Sequence, residues 1–478
     1  MFSNMLPAVA LVASLAARVA VAVNPVEVRG QDFFDTVTNN RVMIVGVDYQ
    51  PGGQAGYMPQ RQIDALSDGD VCLRDAVVLQ SLGVNTIRVY NVDPTLNHDD
   101  CASIFNYAGI YMIIDVNSPL GGESINRAEP WTSYHEGYLT RIFGVVENFK
   151  NYPNTLGFFS ANEVMNDVES SEFNPPYIRA VQRDLKNYIS KHVTRTIPVG
   201  YSAADVREIL EDQWNYMQCS VQGEDDNLSR SDFFGLNSYS WCGGDATPQS
   251  AGYTTLAALF DSSTIPVFFS EYGCNEVKPR VFEEVPYLYG PEMTMLSGGL
   301  VYEYSQEEAD YGLVDINDNG TVSLRVDFDN LQTQYRTLNI TLLETGNSTA
   351  ATLTPPRCSA NLISNAGLSK NFTLPRVPPG GQQLIDNGID NPTQGRIVDV
   401  SNTRPSQAVY GSNGQQIQNL ELRQVANGES NTPTDASSGT GTNPASSPSP
   451  TTGAAGKVEF GVGYLMAAAA MMAVWTSI

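Results

Sequence analysis

Two glutamates follow long apolar runs, a placement that is costly for a carboxylate without partners or a task. Glu163 closes the run TLGFFSANE (155–163), and Glu271 follows VFFS within PVFFSEYG (266–273). A pair of carboxyls is what glycosyl transfer requires. One must be protonated to donate to the leaving oxygen, while the other stays ionised to attack the anomeric carbon. A separation of about 5 Å permits a covalent glycosyl-enzyme and retention of configuration. A single strand-end glutamate is as readily a capped or ion-paired carboxylate. Two at one barrel mouth, with Asn162 before one of them and aromatics nearby, point to catalysis. The three histidines are scattered at 98, 135 and 192 and no GxSxG segment occurs, so a Ser-His-Asp arrangement has little support. No CxxC pair or histidine partner suggests zinc, and no metal or organic cofactor is expected.

The elements that must position these residues are eight short β-rich runs. They are VMIVGVDY (42–49), TIRVY (86–90), YMIIDV (111–116), TLGFFSANE (155–163), TIPVGYS (196–202), FFGLNSY (233–239), PVFFSEYG (266–273) and GGLVYEYS (298–305). Near-continuous apolar character is expected of parallel strands buried on both faces. Helical stretches separate them. VCLRDAVVLQSLG ends in a glycine placed like a C-cap, and PPYIRAVQRDLKNYISKH carries Tyr177, Val181, Leu185 and Ile189 at intervals of four. Eight strands with intervening helices predict an α/β fold, a (β/α)8 TIM barrel. A doubly wound open sheet is the alternative, but no GxGxxG or GxxxxGK element supports it. In such a barrel the site lies at the C-terminal strand ends, which here carry Asp48, Gln50, Arg88, Tyr90, Asp115, Asn162, Glu163, Asn237, Tyr239, Glu271, Tyr302 and Glu303.

The two ends of the 478-residue chain read as processing signals. An apolar run ending in Ala20-Val21-Ala22 predicts a signal peptide over 1–22. Small residues at Gly453-Ala454-Ala455, a short polar spacer and an apolar tail over the last residues predict GPI attachment at Gly453, with 454–478 as the propeptide. The catalytic barrel with a short C-terminal extension is expected over 23–375. A disordered Ser/Thr/Pro-rich stalk is expected over 376–453, because that composition cannot bury a core. In a secretory setting the six cysteines (72, 101, 219, 242, 274, 358) are expected to form disulfides. The sequons at Asn227, Asn319, Asn339, Asn347 and Asn371 are expected to carry glycans. A net charge of −25 argues against nucleic acid as a partner.

Five segments together, GVDYQPGG (46–53), FFSANE (158–163), FFGLNSYSWC (233–242), SEYGCNE (270–276) and SGGLVYEYS (297–305), resemble the fungal β-1,3-glucanosyltransferases of glycoside hydrolase family 72. The resemblance runs in order over about residues 25–375. It implies a GPI-anchored enzyme of the plasma-membrane outer leaflet, monomeric, that remodels cell-wall glucan using β-1,3-glucan chains as donor and acceptor. It also implies Glu163 as general acid/base, Glu271 as nucleophile and Asn162 as the partner of the sugar 2-hydroxyl. Gln50, Tyr90, Asp115, Tyr239 and Tyr302 match positions that line the family's sugar subsites. The implied pairing is Cys72–Cys101, Cys219–Cys358 and Cys242–Cys274. The last pair is also plausible from the residues alone, since both lie three past the site ends of neighbouring strands. The Cys-rich carbohydrate-binding module that some members carry after the barrel has no counterpart in this sequence. Two alternatives share these features: a hydrolase of the same glucan, and a non-catalytic wall protein, which would have no need for both carboxylates.

Overall fold

The computed structural model describes residues 23–221, 228–346 and 353–433. It begins with an antiparallel hairpin, β1 (Val26–Arg29) and β2 (Asp32–Asp35). Eight parallel strands then close into a barrel: β3 (Ile44–Asp48), β4 (Thr86–Val89), β5 (Tyr111–Asp115), β6 (Thr155–Asn162), β7 (Val199–Ala204), β8 (Phe234–Asn237), β9 (Val267–Tyr272) and β10 (Gly298–Val301). Closure runs through β10 against β3, with Gly298 opposite Ile44 and Val301 opposite Val47. Each apolar run expected to be a strand supplies one. Every residue of β3, β4, β5, β8, β9 and β10 is buried, which is why those runs do not alternate.

Helices α1 (Gly69–Leu82), α2 (Asp99–Tyr107), α3 (Glu136–Phe149), α4 (Pro175–His192), α5 (Leu210–Gln218), α6 (Tyr253–Phe260) and α7 (Val285–Leu288) fill the crossovers, and α8 (Val326–Tyr335) follows the last strand. Their limits have local causes. The Asp68 carboxylate accepts from the amides of Asp70 and Val71 to start α1, and Gly83, at φ 91°, ends it. In α4 the spacing of four places Val181, Leu185 and Ile189 in the core between strands and helices, with Tyr177 half-buried.

The barrel interior away from the mouth is apolar. Phe33 of the hairpin meets Phe233 and Phe268 with ring centroids 5.8 and 6.0 Å apart, and Phe159 meets Phe233 at 5.2 Å. Ile44, Ile113 and Leu300 complete this plug. Gly200 is required beside it, because a Cβ there would lie 2.3 Å from the Phe233 ring. With that end filled, polar side chains on the strands gather at the C-terminal mouth.

The pairing register changes at the mouth. Phe159 lies opposite Gly200, but Asn162 lies opposite Ser202, so β6 carries one extra residue there. Leu236 lies opposite Phe269, but Asn237 lies opposite Glu271, so β9 does the same. A bulge of this kind re-aims the following side chain. Both strands that end in a candidate glutamate have one just before it.

Three disulfides form, Cys72–Cys101, Cys219–Cys358 and Cys242–Cys274, with Cα separations of 5.3, 5.0 and 4.9 Å. They are the pairs the resemblance implies. The sequons Asn319, Asn339 and Asn371 are exposed. Asn227, Asn347, Gly453 and both apolar ends lie outside the described residues. Among the described residues no helix is long and apolar enough to cross a membrane.

The expectation of a stalk beginning at 376 is corrected up to residue 433. A three-stranded sheet, β11 (Val314–Ile316), β12 (Val322–Leu324) and β13 (Val409–Tyr410), takes its last strand from this segment. After α9 (Ile340–Glu344), a further helix, α10 (Gly381–Asn387), packs on α3 and α4. Asn431 is buried, and its side-chain amide donates to the carbonyls of Gln80 and Val84. Composition misleads because the segment has no core of its own. It is held by isolated apolar anchors (Ile385, Val409, Leu422) and by hydrogen bonds to helices already in place.

Candidate active site

The carboxyl of Glu271 is almost fully buried and accepts three donors. The Tyr239 hydroxyl lies 2.7 Å from Oε2, the Tyr90 hydroxyl 2.8 Å from Oε1, and Arg88 Nη1 3.3 Å from Oε1. Burial pushes this carboxyl up to about 7. The Arg88 charge opposes the rise, the charge of Glu163 adds to it, and the two tyrosine hydroxyls oppose it.

Glu163 follows β6 directly. Its backbone sits at φ 48°, in the left-handed region that costs a non-glycine residue about 1 kcal/mol or more. The conformation is held from both sides. Its amide donates to Ser202 O at 2.8 Å, and Arg127 Nη2 donates to its carbonyl at 3.2 Å. Among the described residues its carboxyl accepts a single side-chain hydrogen bond, from Asn237 Nδ2 at 2.9 Å, and Glu163 is more exposed than Glu271.

Asn162 Oδ1 accepts from Arg88 Nη2 at 2.9 Å and from Asn237 Nδ2 at 3.1 Å. Both partners are donors, which settles which end of the amide is oxygen.

Arg88 organises the site. Its guanidinium is fully buried, donates to both oxygens of Asp115 at 3.1 and 2.9 Å, and lies against the rings of Tyr90 and Phe159 at 4.3 and 4.5 Å. Each Asp115 oxygen thus accepts one hydrogen bond from Arg88, which fixes the carboxylate at the mouth and leaves each oxygen a further lone pair. Tyr302 sits edge-on to Tyr90, Tyr239 and Tyr311, at 6.4, 6.2 and 5.4 Å. Gln50 holds its loop through its carbonyl, which accepts from Gly53 N and Ser305 Oγ, while its buried Nε2 has no hydrogen-bond partner among the described residues.

The structure thus brings Glu163, Glu271, Asn162, Tyr90, Tyr239 and Tyr302 together. It adds Arg88 and Asn237, whose roles the sequence reading leaves unassigned. An arginine inside the apolar strand TIRVY is the signal for the first, since a buried guanidinium needs carboxylates around it. Asp48 is also buried at this mouth, with neither carboxylate oxygen hydrogen-bonded among the described residues, and burial holds it well above the usual carboxylate range. Burial and a hydrogen bond with Glu307 push Glu303 up to about 9.

Comparison with known proteins agrees with this geometry. The family model described as glucanosyltransferase, of glycoside hydrolase family 72, matches residues 15–339. The chain is 54% identical to the 1,3-beta-glucanosyltransferase gel2 of Aspergillus fumigatus over 88% of each chain. It is 46% identical to the probable 1,3-beta-glucanosyltransferase GAS3 of Saccharomyces cerevisiae, over 81% of this chain and 77% of the relative. A solved structure of a Saccharomyces cerevisiae Gas2p mutant in complex with laminaritetraose and laminaripentaose aligns with a TM-score of 0.65 and 37% identity, covering 75% of each chain. With the family model matching more than half its length, this chain belongs to the glucanosyltransferases of glycoside hydrolase family 72.

Proposed function

We propose that the protein is a retaining β-1,3-glucanosyltransferase. In this reading it cleaves a β-1,3-glucan internally and joins the new reducing end to the non-reducing end of a second glucan. The observation that supports it most is the unequal setting of the two glutamates: three donors surround Glu271, and one reaches Glu163. The two tyrosine hydroxyls favour the charged form of Glu271 against its burial, which suits a nucleophile, and the more open Glu163 is left for proton transfer to and from the sugar oxygen.

The chemistry then follows. Ionised Glu271 attacks the anomeric carbon as the glycosidic C–O bond breaks, and the Glu163 proton passes to the leaving oxygen. The donor half remains as an ester on Glu271. Glu163, now a carboxylate, takes the proton from the 3-hydroxyl of an acceptor sugar, whose oxygen displaces Glu271. Two inversions give net retention. In this reading the Asn162 amide donates to the 2-hydroxyl of the sugar at the nucleophile, and Gln50, Tyr90, Asp115, Tyr239 and Tyr302 border it.

The same reading places the enzyme at the cell surface, with residues 1–22 as signal peptide, GPI attachment at Gly453 and a stalk confined to 434–453. Three disulfides and exposed sequons support an extracellular setting. Incubation of the purified protein with one reduced laminari-oligosaccharide tests the function. Products longer than the starting sugar support transfer. Shorter products alone make it a hydrolase.

A further inference from the structure

Eight large apolar side chains are exposed among the described residues, and two of them are aromatic: Trp131, 51% exposed, and Phe173, 44% exposed. These two rings touch, edge to face, with centroids 5.9 Å apart. Scattered exposed apolar residues are ordinary on a protein surface. A tryptophan and a phenylalanine from different loops that pack on each other and stay open to water are not, because burial of either would be favourable. The two other described tryptophans, Trp214 and Trp241, are buried.

Both rings lie on loops of the C-terminal mouth, Trp131 between β5 and α3 and Phe173 between β6 and α4. Both loops are keyed to Glu163. Arg127, on the Trp131 loop, donates to the Glu163 carbonyl. Asn174, next to Phe173, is fully buried and donates to the carbonyls of Arg127 and Val164. The Trp131 loop is also braced internally. Asn126 Oδ1 accepts from the amides of Ala128 and Glu129, and the Asn126 amide donates to Ser133 Oγ. The pair is therefore preorganised and continuous with the floor under Glu163.

We propose that Trp131 and Phe173 form a stacking platform for glucan units beyond those at the scissile bond, on the Glu163 flank of the cleft. This rests on the β-1,3-glucan reading above. Pyranose rings present flat C–H faces that pack on aromatic rings, and a site of this kind discriminates by chain length because only longer chains reach it. A rigid aromatic surface costs little to order on binding.

The test is calorimetric titration in a Glu271→Gln background, with laminaritriose and with a ten-unit laminari-oligosaccharide. The ratio of the two affinities is expected to fall on the order of tenfold in Trp131→Ala and in Phe173→Ala, and to hold in Trp131→Tyr. Both rings are exposed, so these changes spare the core, and Trp131→Leu separates stacking from general apolar contact. An unchanged ratio in the alanine variants, or a retained ratio in Trp131→Leu, overturns the platform. If the Glu271→Gln protein binds neither oligosaccharide, the glucan reading fails with it.

Discussion

The hydroxyl of Tyr239 lies 2.7 Å from Oε2 of Glu271, and an ionised carboxylate can only accept that hydrogen bond. Tyr90 makes the matching contact to the other oxygen at 2.8 Å. Both hydroxyls favour the charged form of Glu271 and lower its pKa.

Removing one of them should therefore be visible in a pH profile. In Tyr239→Phe the acid limb of kcat/KM is expected to move to higher pH by about one unit, as loss of a hydrogen bond to a charge predicts. A fall in kcat with the acid limb unmoved would reduce Tyr239 to packing.

Stability should also depend on pH, with a sign set by buried carboxyls. Burial raises Glu284, which lies outside the candidate site, from 4.5 to about 7. The folded protein keeps that proton where the unfolded chain has released it. The stability contributed by this group is thus fully present below about 4.5 and is lost as pH rises through 7. Glu303, raised to about 9, extends the fall in the same direction. Glu284→Gln should remove about 3 kcal/mol of the decline between pH 4.5 and 8. A thermal-unfolding series that gives parallel curves for the two proteins would refute the assignment.

Residues beyond 375 offer a third test. The Asn431 side chain donates to the carbonyls of Gln80 and Val84. Asn431→Ala would leave both without that donor and should cost about 2 kcal/mol. An unchanged unfolding midpoint would return this segment to the stalk its composition suggests.

The barrel was legible because parallel strands buried on both faces leave continuous apolar runs, and all eight could be counted. The two glutamates stood out because they interrupt such runs. Arg88 and Asn237 were visible as polar residues at strand ends, but their roles depend on which strands are neighbours. The bulges before Glu163 and Glu271 leave no composition signal, since Ser270 reads as an ordinary strand residue. The ion pair of Asp115 was hidden for a related reason: its spacing puts it at the mouth, but only the position of Arg88 shows that both its oxygens accept from a guanidinium. The docked C-terminal segment was hidden because its anchors are single residues far apart in sequence.

The central claim, Glu271 as nucleophile and Glu163 as acid/base, is tested most directly by trapping the ester. The Glu163→Gln protein should be treated with a 2-deoxy-2-fluoro laminaribiosyl fluoride, whose leaving group needs no proton. Intact-mass and peptide analysis are expected to show one glycosyl unit attached, on the peptide that contains Glu271 and at that residue. Attachment to another residue, or the same adduct formed in Glu271→Gln, would contradict the account.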